Sequence, residues 1–273
     1  MHGERIRLAR LFGRSNGRAF VIAFDHGARR GATKGSEDAG AALRRIIGCK
    51  PDGIFITKGL LHRFGDLLAV PRAPIAIVRG DTWLIDEHAG LPVEGAVGYG
   101  AEESRLIVTP EHALQLGADA IAVNLIMGTS GRFFIDNKAG IARLADDAHA
   151  AGIFLVVEVV DWGPLAKPET RVELLTMGAR VAAELGGDVV KVPYLGSVEE
   201  MRKLVSVCPV PVLALGGPPI EEDVLIATTR DALAAGAQGI VYGRNIWQAD
   251  DPVERVAHIL KVVEATTESP ERT

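Results

Sequence analysis

Eight short runs rich in β-branched residues, helix-like segments between them, and no early Gly-rich dinucleotide turn predict a single (β/α)8 TIM barrel for this 273-residue chain. Strands that are apolar on both faces and alternate with helices call for a parallel α/β sheet covered by helices. Eight such units fit a closed barrel better than an open doubly wound sheet. The barrel is expected over residues 1–265, with 266–273 (TTESPERT) a flexible C-terminal tail.

Residues 5–12 read as a helix that plugs or flanks the bottom of the barrel. The first three strands are expected at 19–24 (AFVIAF), 53–57 (GIFIT) and 74–78 (PIAIV). The longest connection, 79–109, contains Gly80, Gly90, Gly95, Gly98 and Gly100, and is expected to be a lid or an oligomer-contact loop. At its end Thr109-Pro110-Glu111 offers an N-cap with proline in the first turn. Strands four to six are expected at 120–125 (AIAVNL), 153–160 (IFLVVEVV) and 188–192 (DVVKV), and the last two at 211–215 (PVLAL) and 239–242 (GIVY). Glycine just past a helix end takes the left-handed conformation cheaply, so Gly117, Gly152, Gly186 and Gly236 mark helix-to-strand joints. Ser197 and Glu200 have the spacing of a capping box.

Composition narrows the partners. The chain is 48% apolar and 24% charged, with a net charge of −5 and both signs interspersed. That leaves no basic stripe for nucleic acid and no basic amphipathic segment for an anionic membrane, so a small molecule is the expected partner. The N-terminus lacks the apolar core of a signal peptide and no apolar stretch reaches bilayer length, which predicts a cytoplasmic protein. Cys49 and Cys208 lack metal-type spacing and read as reduced packing thiols. His62, His88, His112 and His149 read as solvated, no His–carboxylate cluster has metal-ligand spacing, and neither a metal nor another cofactor is expected.

In such a barrel the active site lies at the C-terminal ends of the strands. Those ends carry Asp25-His26-Gly27, Lys58-Gly59, Arg79-Gly80-Asp81, Asn124, Glu158 with Asp161, Lys191, Gly216-Gly217 and Gly243-Arg244. Alternation puts Lys191 on the inward face with Val189, Asp25 with Ala23 and Val21, Lys58 with Ile56, and Glu158 with Val156, whereas Asp161 has the opposite parity. Gly216, Gly217 and Gly243 would let backbone N–H groups approach a phosphate, and Arg244 could reach that phosphate or pair at the surface. Lys58 and Arg79 are further candidates for binding a phosphorylated substrate.

Lys191, within GGDVVKVPYLGS (186–197), sets an ammonium among valines. The residues alone leave two roles open. It is an ion-pair partner for Asp25 or Glu158, or it is a nucleophile kept partly neutral by desolvation and by the cations Lys58 and Arg79. A neutral amine attacks ketones, and the protonated Schiff base that results is an electron sink for cleaving a carbon–carbon bond two atoms away.

The runs FDHG (24–27), GDVVKVPYLGSVEEM (187–201), PVLALGGP (211–218) and GAQGIVYGRNIWQADDP (236–252) resemble the archaeal-type, or DhnA-type, class I fructose-bisphosphate aldolase family. Its relatives include the aminodideoxyheptulosonate synthases and the thiolase that processes phosphorylated autoinducer-2. The resemblance covers all the predicted strands in order. It implies that Lys191 is the Schiff-base lysine, that Asp25 and His26 are the acidic and basic pair after strand one, and that Gly216, Gly217, Gly243 and Arg244 form the phosphate loops. The implied reaction is attack of Lys191 on a phosphorylated ketose or dihydroxyacetone phosphate, in a homo-oligomer of up to ten chains.

One departure affects the chemistry. Family members carry a Tyr-Pro-Arg-Gly-like run at the end of strand five, and its tyrosine is the general acid/base; here the run is Val160-Asp161-Trp162-Gly163. Glu158, its acidity weakened by crowding, is the expected replacement, with Asp161 second. Tyr194 and Tyr242 are further phenols at strand ends, and Trp83 and Trp162 cover the substrate, meet another subunit or pack. Two other functions stay open: coenzyme A-dependent acyl transfer from a phosphorylated diketone through the same lysine, and a non-catalytic barrel that senses sugar phosphates.

Overall fold

The computed structural model describes residues 2–84 and 103–265. In chain order its strands are β1 (Ala19–Phe24), β2 (Gly53–Ile56), β3 (Ile75–Arg79), β4 (Asp81–Leu84), β5 (Glu103–Leu106), β6 (Ala120–Ile126), β7 (Phe154–Val160), β8 (Val189–Pro193), β9 (Val212–Leu215) and β10 (Gly239–Tyr242). All but β4 and β5 close into one parallel barrel, in the spatial order β1-β10-β9-β8-β7-β6-β3-β2. The first helices are α1 (His2–Leu11), α2 (Gly27–Arg30), α3 (Ala39–Gly48), α4 (Lys58–Phe64), α5 (Pro110–Gln115) and α6 (Gly131–Ala151). They are followed by α7 (Arg171–Glu184), α8 (Val198–Val207), α9 (Glu222–Ala234), α10 (Arg244–Trp247) and α11 (Pro252–Ala265). No helix among the described residues is long and apolar enough to cross a membrane.

Each sequence run forms one barrel strand, but the connection after β3 is not all loop. Residues 81–84 and 103–106 pair as an antiparallel ribbon. Its strands, DTWL and ESRL, are mostly exposed or half-buried and carry no apolar alternation to announce them. Gly90, Gly95, Gly98, Gly100 and His88, and the tail at 266–273, lie outside the described residues.

Period-two alternation sorts the strands into two layers. Val21, Ala23, Phe55, Ile77, Ala122, Val156, Val189, Leu213 and Val241 fill the barrel interior. Ile22, Ile56, Val78, Val123, Val157, Val190 and Ile240 pack outward against the helices. Helix α1 plugs the bottom as its sequence predicts: Leu11 is fully buried against the interior layer, with Leu8 and Phe12 beside it. Burial of such a leucine stabilises the fold by about 2 kcal/mol. Arg10 Nη1 fastens α1 to Asp119 Oδ1 at 2.6 Å, and Arg14 Nε past its end holds Asp52 Oδ2 at 2.6 Å.

The predicted helix signals are realised. Gly152 closes α6 with a φ of 74°, its N–H donating to the carbonyls of Ala148 and His149. Thr109 Oγ1 caps α5 by accepting from the His112 N–H at 3.3 Å, and Ser197 Oγ caps α8 by accepting from Glu200 N–H at 3.2 Å. Both cysteines are buried. Strand register then brings the polar interior residues level: Asn124 on β6 stands opposite Glu158 on β7, and Glu158 opposite Lys191 on β8.

Candidate active site

A cleft of about 170 Å³ opens at the C-terminal ends of the strands, with Lys191 on its floor. The lysine is 5% exposed. Its Nζ lies 2.9 Å from Glu158 Oε1 and 4.5 Å from the ring centroid of Phe55. The other Glu158 oxygen, Oε2, accepts from Arg79 Nη2 at 2.7 Å. Arg79 Nε donates to Asp25 Oδ2 at 2.8 Å, and Arg79 Nη1 reaches Asp81 Oδ1 at 3.4 Å. Asp81 Oδ2 in turn accepts from the Asn124 N–H at 2.7 Å and from Asn124 Nδ2 at 3.1 Å. Two cations and three carboxylates thus form one buried network across β1, β3, β4, β7 and β8.

The network sets the protonation of its members. Burial alone would push the Asp25 carboxyl up, but Arg79 above all, with His26 and Lys191, holds it well below the usual carboxylate range. Burial also works against the Glu158 carboxylate, and the charges of Lys191 and Arg79 override it, leaving Glu158 more acidic than usual. Asp81 goes the other way, because burial there outweighs Arg79 and the Asn124 bonds. Burial, followed by the carboxylates of Asp25, Glu158 and Asp81 acting in the opposite sense, leaves Arg79 a stronger base than usual. His26 is pushed down to about 4, first by burial and then by Lys191 and Arg244, against the pull of Asp25 and Glu158. Its ring packs edge-on to Trp247 with centroids 5.7 Å apart.

The glycines after β9 and β10 line the same cleft, and Arg244 sits beside them. Gly243 has no room for a side chain: a Cβ there would lie 2.8 Å from His26 Cε1 and 2.9 Å from the Ala23 carbonyl oxygen. Arg244 Nε is buried without a hydrogen-bond partner among the described residues. Burial, with the charge of Arg30 behind it, lowers the Arg244 guanidinium. Two neighbouring cations and bare backbone make an electropositive pocket at this end.

Asp25, His26, Arg79, Glu158, Lys191, Gly216, Gly217, Gly243 and Arg244 therefore converge as the sequence predicts. Three readings need correction. Lys58 is exposed at the first turn of α4 and donates to the Ile107 carbonyl at 3.1 Å, because Phe55 rather than Ile56 faces the interior and Thr57 already caps the helix. Glu158 is shifted down, not up, since crowding brings two cations rather than apolar walls to its oxygens. Arg79 lines the cleft, yet its guanidinium is held by three carboxylates. Asp161 pairs with Arg171 at 3.0 Å on the rim. Tyr242 is buried behind the strand, its hydroxyl 2.7 Å from Thr229 Oγ1, and Tyr194 faces Asp231 at 3.5 Å, so neither phenol enters the cleft.

Sequence reasoning names Asp81 and Asn124 at the strand ends without giving them a role, and passes over Arg29. The first two are strand-end polar residues, but only the register shows that they brace Arg79 and border Glu158. Arg29 lies on α2, directly after β1, where position at the barrel mouth was the available signal. A trio with metal-ligand potential, Glu4, His149 and Asp188, lies at the N-terminal ends of β7 and β8, away from the cleft.

Comparison with known proteins identifies the family. An uncharacterized aldolase of Saccharolobus solfataricus is 32% identical over 269 residues, which cover 96% of this chain and 95% of that protein. The 2-amino-3,7-dideoxy-D-threo-hept-6-ulosonate synthase 1 of Archaeoglobus fulgidus is 30% identical over 264 residues, 96% of this chain and 91% of that one. The crystal structure of an archaeal fructose 1,6-bisphosphate aldolase superposes with a TM-score of 0.80 at 27% identity, covering 94% of this chain and 98% of that chain. A further structure, equally similar, is of an archaeal fructose-1,6-bisphosphate aldolase with its catalytic Lys covalently bound to the carbinolamine intermediate. The family model described as DeoC/LacD family aldolase matches residues 19–249, all eight barrel strands included, and this chain belongs to that family.

Proposed function

We propose that the protein is a class I aldolase, in which Lys191 forms a Schiff base with a phosphorylated ketone such as dihydroxyacetone phosphate or a ketose 1-phosphate. One observation carries the reading: a lysine 5% exposed that lines one cleft with Gly216, Gly217, Gly243 and Arg244, whose Nε has no hydrogen-bond partner among the described residues. The covalently bound lysine in the similar archaeal aldolase supports the same choice of nucleophile.

The residues divide the work as follows. The substrate phosphate binds against Gly216, Gly217 and Gly243 with Arg244 as its counter-charge, which presents the neighbouring ketone to Lys191. The Nζ proton passes to Glu158 Oε1, 2.9 Å away, and the freed nitrogen lone pair forms a C–N bond while the carbonyl π pair moves to oxygen. That oxygen takes up one of the two protons left on the now cationic nitrogen, which completes the neutral carbinolamine. Glu158 returns its proton to the carbinolamine hydroxyl, which leaves as water and gives the iminium. In the cleavage direction a base removes the proton of the β-hydroxyl, the aldehyde departs, and the electron pair of the broken C–C bond enters the iminium to form an enamine. Protonation of the enamine carbon and hydrolysis then release the ketone. His26 is assigned the hydroxyl proton: held down to about 4, it is neutral at neutral pH, and its Nδ1 makes no hydrogen bond among the described residues. Arg79 keeps Asp25 and Glu158 ionised and in place.

The test is aldol formation from dihydroxyacetone phosphate and a set of aldehydes. We expect product with or without a chelator, and a loss of more than about 10³-fold in Lys191→Met. Full activity in that variant, or a requirement for added divalent metal, would overturn the reading, and turnover that needs coenzyme A would point to acyl transfer instead. By the same family resemblance the protein is a homo-oligomer of up to ten chains; light scattering that gives the mass of one chain would contradict the assembly.

A further inference from the structure

The bottom of the barrel carries a polar cluster that the chemistry at Lys191 does not use. Glu4 lies in the first turn of α1, His149 in the last turn of α6, and Asp188 immediately before β8. One ligand atom from each residue lies within 4.8 Å of the other two. All three are half-buried, His149 included, whose sequence surroundings had suggested full solvation.

His149 and Asp188 are spaced as neighbouring ligands of one ion are. His149 Nε2 stands 3.0 Å from Asp188 Oδ2 and 3.2 Å from Oδ1. Two atoms that each lie about 2.1 Å from one metal, at an angle of about 90–109°, are about 3.0–3.4 Å apart. The backbone aims the carboxylate: Asp188 Oδ2 also accepts from the Leu155 N–H at 2.7 Å, at the start of β7. Outer bonds of this kind orient a ligating side chain.

Glu4 supplies what a simple ion pair lacks. A protonated imidazole has one N–H at Nε2, and Asp188 takes it, whereas a metal ion offers several positions around one point. A second carboxylate at the same place repels the first unless a cation stands between them. One imidazole nitrogen and two carboxylate oxygens, with no thiolate, suit zinc or a neighbouring divalent first-row ion better than calcium or magnesium, which take all-oxygen sites.

The location gives such an ion its role. Helix α1 has 10 residues, a length that is marginal for an isolated helix, and Leu11 at its far end is its one buried residue. Arg7 Nη1 holds the middle of the helix to the Gly152 carbonyl at 3.0 Å, and Arg10 holds its end to Asp119. We propose that Glu4, His149 and Asp188 bind a zinc-class divalent ion, with water in the remaining position, and that this ion staples the first turn of α1 to the bottom of the barrel. The inference stands apart from the aldolase reading, because the strands separate this end from the cleft.

The test takes the full chain without a purification tag, strips it with EDTA, dialyses it, and titrates it with zinc chloride by calorimetry at neutral pH. Amide hydrogen exchange in α1 is followed in parallel by mass spectrometry. We expect one equivalent of zinc with a Kd of about 1–10 µM, weakened at least about 30-fold in His149→Gln and in Glu4→Gln. His62→Gln, an exposed position on α4, should bind as the parent does. Zinc at about 100 µM should raise the parent Tm by about 3–6 °C and slow α1 exchange at least about 10-fold, and Glu4→Gln should abolish both effects. Absence of binding at that concentration, a site that survives the Glu4 and His149 substitutions, or binding that leaves α1 exchange unaltered overturns the proposal.

Discussion

Replacing Glu158 by glutamine should cost about 3–5 kcal/mol of stability, the usual penalty for removing one member of a buried ion pair. The structure explains why an isosteric change is so expensive. Glu158 uses both oxygens, Oε1 on Lys191 at 2.9 Å and Oε2 on Arg79 at 2.7 Å. Glutamine keeps one acceptor, so its NH2 must face one of the two cations, donor against donor, in a site where the side chains of Glu158 and Lys191 are 8% and 6% exposed. Arg79 retains Asp25 and Asp81, whereas Lys191 loses its only carboxylate among the described ion pairs. The double variant Glu158→Leu with Lys191→Met removes both charges and should cost no more than Glu158→Gln alone. Urea unfolding at neutral pH measures both. A loss below about 1 kcal/mol in Glu158→Gln, or fully additive losses for Glu158→Leu and Lys191→Met, would show that the network is solvated and refute the reasoning.

Arg244→Ala should raise KM for the phosphorylated donor by about 10- to 100-fold, the worth of one hydrogen-bonded charge, and steady-state kinetics in which KM does not move would remove Arg244 from the phosphate pocket. Gly243→Ala should destabilise the fold by about 1–3 kcal/mol and weaken phosphate binding, because its Cβ meets His26 Cε1 at 2.8 Å and the Ala23 carbonyl at 2.9 Å; a thermal melt matching the parent would contradict that fit. His26 titrates at about 4 when folded and near 6.5 when unfolded, so below pH 6.5 the unfolded chain binds a proton that the folded one refuses. Its contribution is complete above pH 6.5 and lost as pH falls towards 4, about 3 kcal/mol in all. Urea midpoints from pH 7 to 4 should therefore drop less steeply in His26→Gln, and equal slopes would contradict the assignment. Tyr242→Phe should cost about 1 kcal/mol through its lost bond to Thr229 and leave kcat unaltered, whereas a large fall in kcat would bring this phenol back as a proton carrier.

What the chain reveals without coordinates follows from where its signals are local. The barrel strands are legible because both of their faces are apolar, and Lys191 stands out because Val189, Val190 and Val192 surround it. The β4–β5 ribbon is hidden, since its short strands face solvent and lack a period-two pattern. Parity counting succeeds for Asp25, Glu158 and Lys191 but fails for Lys58, where β2 stops at Ile56 and Thr57 starts a helix. The Glu158 protonation state was beyond reach of the sequence because it depends on which cations the register brings to each oxygen. Arg29 is obscured for a similar reason: the indoles of Trp83 and Trp162 that hold it come from β4 and from the loop after β7.

Covalent capture of Lys191 tests the central claim most directly. Dihydroxyacetone phosphate and borohydride, followed by mass measurement of the peptide that carries Lys191, should give a stable adduct of one reduced donor molecule on that residue and on no other lysine. No adduct, an adduct elsewhere, or undiminished aldol formation by Lys191→Met would contradict the account.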